Sequence, residues 1–165
     1  MKKILFLFVF AFGLFTSCTS QETTTYYLIR HSEKDRSDKT NRNPDLSEDG
    51  QERATNWADY FEDIDLDAVY STNYNRTMQT ATPTAESKDL EILNYDPRNM
   101  FDAEFEKATK GKTVLVVGHS NTTPAFVNKI LGEKKHEDLD DNDNASLFIV
   151  TISGDKKESI VKKIE

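Results

Sequence analysis

One cysteine in 165 residues excludes an internal disulfide framework and any multi-cysteine zinc site. The six glycines are scattered, so the chain has neither a glycine-rich nucleotide loop nor a Gly-x-Ser-x-Gly elbow. Positive charge is also short: 21 Lys and Arg stand against 29 Asp and Glu, a net charge of −8. With no basic block, the chain lacks the cationic face that nucleic acid requires. Its single long apolar run, Ile4 to Phe15, is well below the roughly 20 residues that span a bilayer. Hydrophobic residues at 36% and charged residues at 30% suit one globular domain of ordinary core size.

That apolar run follows Met1-Lys2-Lys3 and ends Phe15-Thr16-Ser17-Cys18. A positive start, a short apolar stretch and small residues before a cysteine make an export signal. The arrangement resembles a bacterial lipoprotein signal, with Phe15 where that pattern prefers leucine. The resemblance implies cleavage after Ser17 and a lipid on Cys18. The expected organisation is a signal peptide over 1–17, lipidated Cys18 and a polar tether over 18–23, and a folded domain over 24–165. The expected address is outside the cytoplasm, held to a membrane by the anchor.

Within the folded part, strand and helix signals alternate. Thr24–Arg30 is rich in β-branched and aromatic residues and predicts a strand, and Asp35–Asp45 predicts a loop. Ser47 caps a helix whose Ala54, Trp57, Ala58 and Phe61 share one face. Ala68–Ser71 predicts a strand, Asn75–Glu86 a helix that Pro83 kinks or ends, and Glu91–Tyr95 a strand. A further helix is expected from Pro97 to about Lys110. Thr113–Gly118 is a continuous Val/Leu run suited to a sheet centre covered on both faces. Thr123 and Pro124 open a helix to Leu131, stopped by Gly132, and Ser146–Ser153 with Ser159–Ile164 form a closing hairpin. The expected fold is therefore α/β, a three-layer sandwich on a mostly parallel mixed sheet.

Two of the three histidines end such strands: Tyr26-Tyr27-Leu28-Ile29-Arg30-His31 and Val114-Leu115-Val116-Val117-Gly118-His119. Strand ends are where open α/β sheets bind ligands, so two imidazoles are expected over one pocket. The third, His136, lies in the charged run Glu133–Glu137 and reads as a surface residue.

Four segments stand in order: Leu28-Ile29-Arg30-His31-Ser32-Glu33, Leu46-Ser47-Glu48-Asp49-Gly50-Gln51, Tyr70–Ala81 with Arg76 at its centre, and Val117-Gly118-His119-Ser120-Asn121. Together they resemble the histidine phosphatase superfamily, the phosphoglycerate mutase-like family, in its short branch, over about Tyr26 to Leu131. The resemblance implies a phosphoglycerate mutase-like fold. It makes His31 the nucleophile that carries a phosphoryl group, with Arg30, Arg76 and His119 completing the phosphate pocket. Elementary chemistry agrees. A neutral imidazole is a good nucleophile near pH 7, and the planar guanidinium fork matches phosphate oxygens. A protonated His119 adds a donor as charge spreads in the transition state. Two arginines and two imidazoles supply the positive field, so no metal or other cofactor is expected.

Around these residues, Ser32 stands where the family usually has glycine and keeps the loop close to the phosphate. Asn75 is a further candidate for substrate binding. Asn121 either contacts the phosphate or caps the turn, and Glu33 either orients His31 or Arg30 or is solvated. Thr122-Thr123-Pro124 turns helix N–H groups back toward His119, a place for an anion. For the proton of the leaving group the expectation falls on Asp96, since Ser120 follows His119 where some relatives have an aspartate. Without an acid, good leaving groups such as phosphohistidine are favoured. The acidic run Glu137–Asn144 fails the calcium-loop template and is expected to be solvated.

The sequence thus points to a metal-independent phosphatase acting on a phosphomonoester, a phosphohistidine or a phosphoprotein through a covalent phosphohistidine on His31. A phosphate-binding lipoprotein without turnover is the alternative. A mutase is disfavoured by the short chain between Arg76 and His119. Nucleic acid is not an expected partner.

Overall fold

The computed structural model describes residues 22–164. The signal-like segment and Cys18 lie outside the described residues. Six strands form one mixed sheet: β1 (Thr23–Arg30), β2 (Ala68–Ser71), β3 (Ile92–Asn94), β4 (Thr113–Gly118), β5 (Ser146–Ser153) and β6 (Lys156–Lys163), in the order β3-β2-β4-β1-β5-β6. β1 to β4 run parallel, β5 runs antiparallel to β1, and β6 runs antiparallel to β5.

The sheet carries two helices on each face because its central strands are apolar on both sides. Leu115 and Val117 of β4 pack with Trp57 and Phe61 near α1 (Glu48–Tyr60) and with Ala81 and Ala85 of α2 (Asn75–Ser87). Val114 and Val116 face the other way, onto Phe126, Val127 and Ile130 of α4 (Thr122–Leu131) and onto Phe105 of α3 (Ala103–Thr109). This is the expected α/β sandwich. Ser47 caps α1 by accepting from the Gly50 amide, and Gly132 ends α4 in the left-handed region.

The register sets the strand ends level. Arg30 pairs with Gly118, and Ser71 and Ile29 both pair with Val117. The His31 amide then donates to the Gly118 carbonyl at 2.9 Å. So β1, β2 and β4 deliver His31, Thr72 and His119 to one edge of the sheet.

Three expectations are corrected. No helix begins at Pro97: Asp96 accepts from the Arg98 amide at 2.9 Å in a local turn, and Phe101 has φ +50°, which a right-handed helix cannot pass. Asp102 then caps the shorter α3 through the Phe105 amide. Pro83 does not end α2, which runs on to Ser87 with the proline inside it. The run Glu137–Asn144 is not simply solvated, because its aspartates and Asn144 fold back onto the end of β1.

Candidate active site

Arg30 and His31 leave β1 almost fully buried, at 2% and 3% exposure, although both are polar. Such burial is costly unless each polar group has a partner or a function. The Nδ1–H of His31 donates to the Ser32 carbonyl at 2.7 Å, because a carbonyl can only accept. The lone pair of the neutral ring therefore lies on Nε2. Burial holds the His31 pKa down to about 3, with Arg30 and Arg76 pushing the same way against the Ser32 carbonyl. At neutral pH this imidazole is unprotonated, with its lone pair free on Nε2.

The His31 and His119 rings face one another at 5.5 Å between centroids, inclined at 68°. Nδ1 of His119 accepts from Arg76 Nη2 at 3.4 Å, since a guanidinium is always the donor. Its Nε2–H then donates to Thr72 Oγ1 at 3.0 Å. Thr77 spends its own hydroxyl proton on the carbonyls of Thr72 and Tyr74, at 2.7 and 2.9 Å, so Thr72 donates onward to Thr77 Oγ1 at 3.0 Å. The chain of donors fixes the His119 tautomer. Burial, followed by Arg76, Arg30 and Lys34, holds the His119 pKa down to about 4. The free site thus holds His119 neutral, and a bound dianion would raise its pKa by supplying the missing opposite charge.

Arg76, on the first turn of α2, lies under the Tyr74 ring at 4.6 Å, and that ring meets His119 edge-on at 5.1 Å. Its Nε and Nη1 are buried without an acceptor, as is Nε of Arg30. Three buried, acceptor-free guanidinium nitrogens beside an open imidazole lone pair are the donor set of an anion site. Arg30 has its remaining donors on the Asp140 and Asp143 carbonyls, at 2.9 and 3.3 Å, and on Asp141 Oδ1 at 2.9 Å. The Asp141 carboxyl bridges to Arg36 Nη1 at 2.8 Å.

Glycine is required where backbones meet. A Cβ on Gly50 would lie 2.0 Å from the Glu33 carbonyl oxygen, so only glycine lets α1 pack against the His31 loop. Thr80 locks the other side, accepting from the Ser32 amide at 2.9 Å and donating to the Arg76 carbonyl at 2.7 Å.

The remaining expected residues are placed differently. Ser32 is fully buried with its hydroxyl unpartnered, so it contributes compactness to the loop. Asn75 has its side chain engaged elsewhere: it donates to Asp45 at 2.8 Å and accepts from Asn43, stapling the Asp35–Asp45 loop to α2. Asn121 is exposed and makes no side-chain cap; the Thr122 hydroxyl accepts from the His119 amide instead. The first α4 amide to turn back, that of Thr123, donates to the His119 carbonyl at 2.9 Å rather than to the pocket. Glu33 takes Arg53 Nε at 2.8 and 3.0 Å and orients neither His31 nor Arg30. His136 packs edge-on against Phe148 with Nε2 on Ser159, away from the site.

Asp96 needs the clearest correction. A general acid must hold its proton at neutral pH. Asp96 is instead an exposed carboxylate paired with Arg98 at 3.0 Å, and the Arg98 contacts hold its pKa below the usual range. Thr72, Tyr74, Lys34, Asp141 and Asn144, whose side-chain amide donates to the His31 carbonyl at 2.7 Å, join the site although no sequence pattern assigns them a role. Among the described residues, no group of three His, Cys, Asp or Glu side chains is placed to hold a metal ion.

The model of the histidine phosphatase superfamily (branch 1) matches residues 26–98. No curated protein matches the chain. Solved structures do, at low identity. A candidate phosphohistidine phosphatase SixA from Agrobacterium tumefaciens is 20% identical with a TM-score of 0.62, over 86% of this chain and 99% of that one. A phosphoglycerate mutase from Bacillus anthracis is 16% identical with a TM-score of 0.65, over 87% and 93%. A phosphoserine phosphatase from Entamoeba histolytica, in complex with phosphoserine, is 15% identical with a TM-score of 0.64, over 82% and 94%. Residues 26–98 therefore match the histidine phosphatase superfamily (branch 1), and the six-stranded sheet shares the fold of the phosphoglycerate mutase structure.

Proposed function

We propose that this protein is a metal-independent phosphatase that works through phosphohistidine on His31. The observation that carries the reading is the set of three buried, acceptor-free guanidinium nitrogens beside the open Nε2 of His31. In the first step Nε2 attacks phosphorus and the bond to the leaving group breaks. The ring becomes cationic while keeping its Nδ1–H, so the bond to the Ser32 carbonyl becomes charge-assisted and strengthens. Arg30, Arg76 and His119 hold the phosphoryl oxygens as charge spreads over them. Water then attacks phosphorus, the N–P bond breaks, and the ring returns neutral.

Asp96 is ion-paired and has no proton to give the leaving group. That favours a phosphohistidine or an activated phosphomonoester over an alkyl one. The same ion pair supports a second reading, a phosphate-binding protein without turnover. The N-terminal segment supports export and anchoring through Cys18, a reading that palmitate labelling of the full chain and of Cys18→Ser separates from simple secretion.

The full chain in detergent should hydrolyse p-nitrophenyl phosphate in EDTA, and His31→Ala should abolish that turnover. An inert protein that still binds vanadate through an intact His31 would favour the second reading.

A further inference from the structure

We propose that the pocket selects a phosphorylated compound whose leaving group carries a second anionic group, and that Lys34 and Arg36 are the residues that select it. The inference rests on the phosphoryl pocket described above and adds the class of its ligand.

The charges around His31 do not balance. Arg30, Arg76, Lys34 and Arg36 are four cations, and Lys34 and Arg36 line a cavity of about 160 Å³ with Arg30, His31 and Asp141. Of the carboxylates lining that cavity, Asp141 is the one that pairs with them, and it is shared between Arg30 and Arg36. Glu33 also borders the cavity, but Arg53 takes both of its oxygens. Three positive charges are left over. A phosphoryl dianion on Arg30 and Arg76 answers two of them.

The surplus is not a consequence of composition, because the chain carries a net charge of −8. Nor is Lys34 a loose surface lysine. Its backbone is paired to Leu46, with the Ser47 and Asp35 amides closing the rungs on either side at 2.9 and 2.8 Å. The half-buried side chain has no hydrogen bond or ion pair among the described residues. Burial, Arg36 and Arg76 all disfavour its charge, with Asp141 in opposition. Like charges held together by a tied loop gain from an anion set between them. Arg36 lies two residues on, half-exposed, and lines the same cavity as His31.

Ligands that cannot be hydrolysed test this without turnover. Calorimetry on the full chain in detergent would compare methylphosphonate, phosphonoacetate and methylenebisphosphonate. Either doubly anionic ligand should bind about tenfold more tightly than methylphosphonate, a contribution of one well-placed charge contact. Whichever of the two binds more tightly identifies the second group as carboxylate or phosphate. Lys34→Met combined with Arg36→Gln should bring the ratio close to one, and Lys34→Arg should restore most of it. Equal binding of all three ligands, or a ratio that survives the double variant, overturns the proposal and leaves the phosphoryl pocket intact. Failure of methylphosphonate and vanadate alike to bind would overturn both.

Discussion

The Nδ1–H of His31 donates to the carbonyl of Ser32 across 2.7 Å, and this one bond decides which nitrogen can attack. A carbonyl cannot donate, so the ring has no choice of tautomer. The same bond is set to strengthen once the ring carries a phosphoryl group and a positive charge. Thr80, holding the Ser32 amide, and Gly50, admitting the Glu33 carbonyl, fix the loop that makes it.

Thr72 should prove a positioning residue. Its hydroxyl accepts the Nε2–H of His119 and passes the donor chain on to Thr77. Thr72→Val removes the acceptor and leaves a buried N–H unpaired, so kcat should fall about tenfold. Thr72→Ser should recover most of the loss. An unchanged kcat in Thr72→Val would show that the tautomer of His119 does not matter.

Stability should fall in mild acid because of the buried histidines. His31 and His119 have folded-state pKa values of about 3 and about 4, both below the ordinary 6.5. For depressed histidines the stabilising contribution is whole above pH 6.5. It is lost as pH falls from there toward the folded values, because the unfolded chain takes the protons first. His31 alone contributes a slope of about 1.4 kcal/mol per pH unit near pH 5. Urea denaturation at pH 7 and pH 5 checks this, with His31→Gln expected to lose less stability between the two than the unaltered protein. Equal losses would place the acid sensitivity elsewhere.

Gly50→Ala should damage the site from outside it. The added methyl would meet the Glu33 carbonyl oxygen at 2.0 Å, backbone against backbone, so the loop or α1 must shift. A cost of about 1–3 kcal/mol is expected, as for other overpacked contacts. Turnover should drop with it as the Ser32 carbonyl moves. Thermal unfolding and kinetics on the same preparation test both effects.

The sequence made the sheet legible because its strands are short apolar runs with clear ends. The Val114–Val117 run can only be covered on both faces, and the alternation of its side chains delivers two separate cores. Arg30, His31, Arg76 and His119 were readable because they stand at strand and helix ends, next to elements whose periodicity is plain. The segment from Tyr95 to Asp102 was misread because Pro97 opens a helix as readily as it fills a turn. The bond from Asp96 to the Arg98 amide decided between them. Asp141 and Asn144 could not be found from local pattern. They lie more than a hundred residues from Arg30 and His31, and only the antiparallel return of β5 brings them back. Lys34 carries no helical or strand period, and its meaning depends on the charges gathered around it.

The most direct test of the account is to trap the covalent intermediate. The full chain, mixed with an activated phosphomonoester and quenched within milliseconds in alkali, would be digested and read by mass spectrometry. One acid-labile, alkali-stable phosphoryl group is expected on His31, formed in EDTA and absent from His31→Ala. Turnover with no phosphoryl group on His31, or with the group on His119, would contradict it.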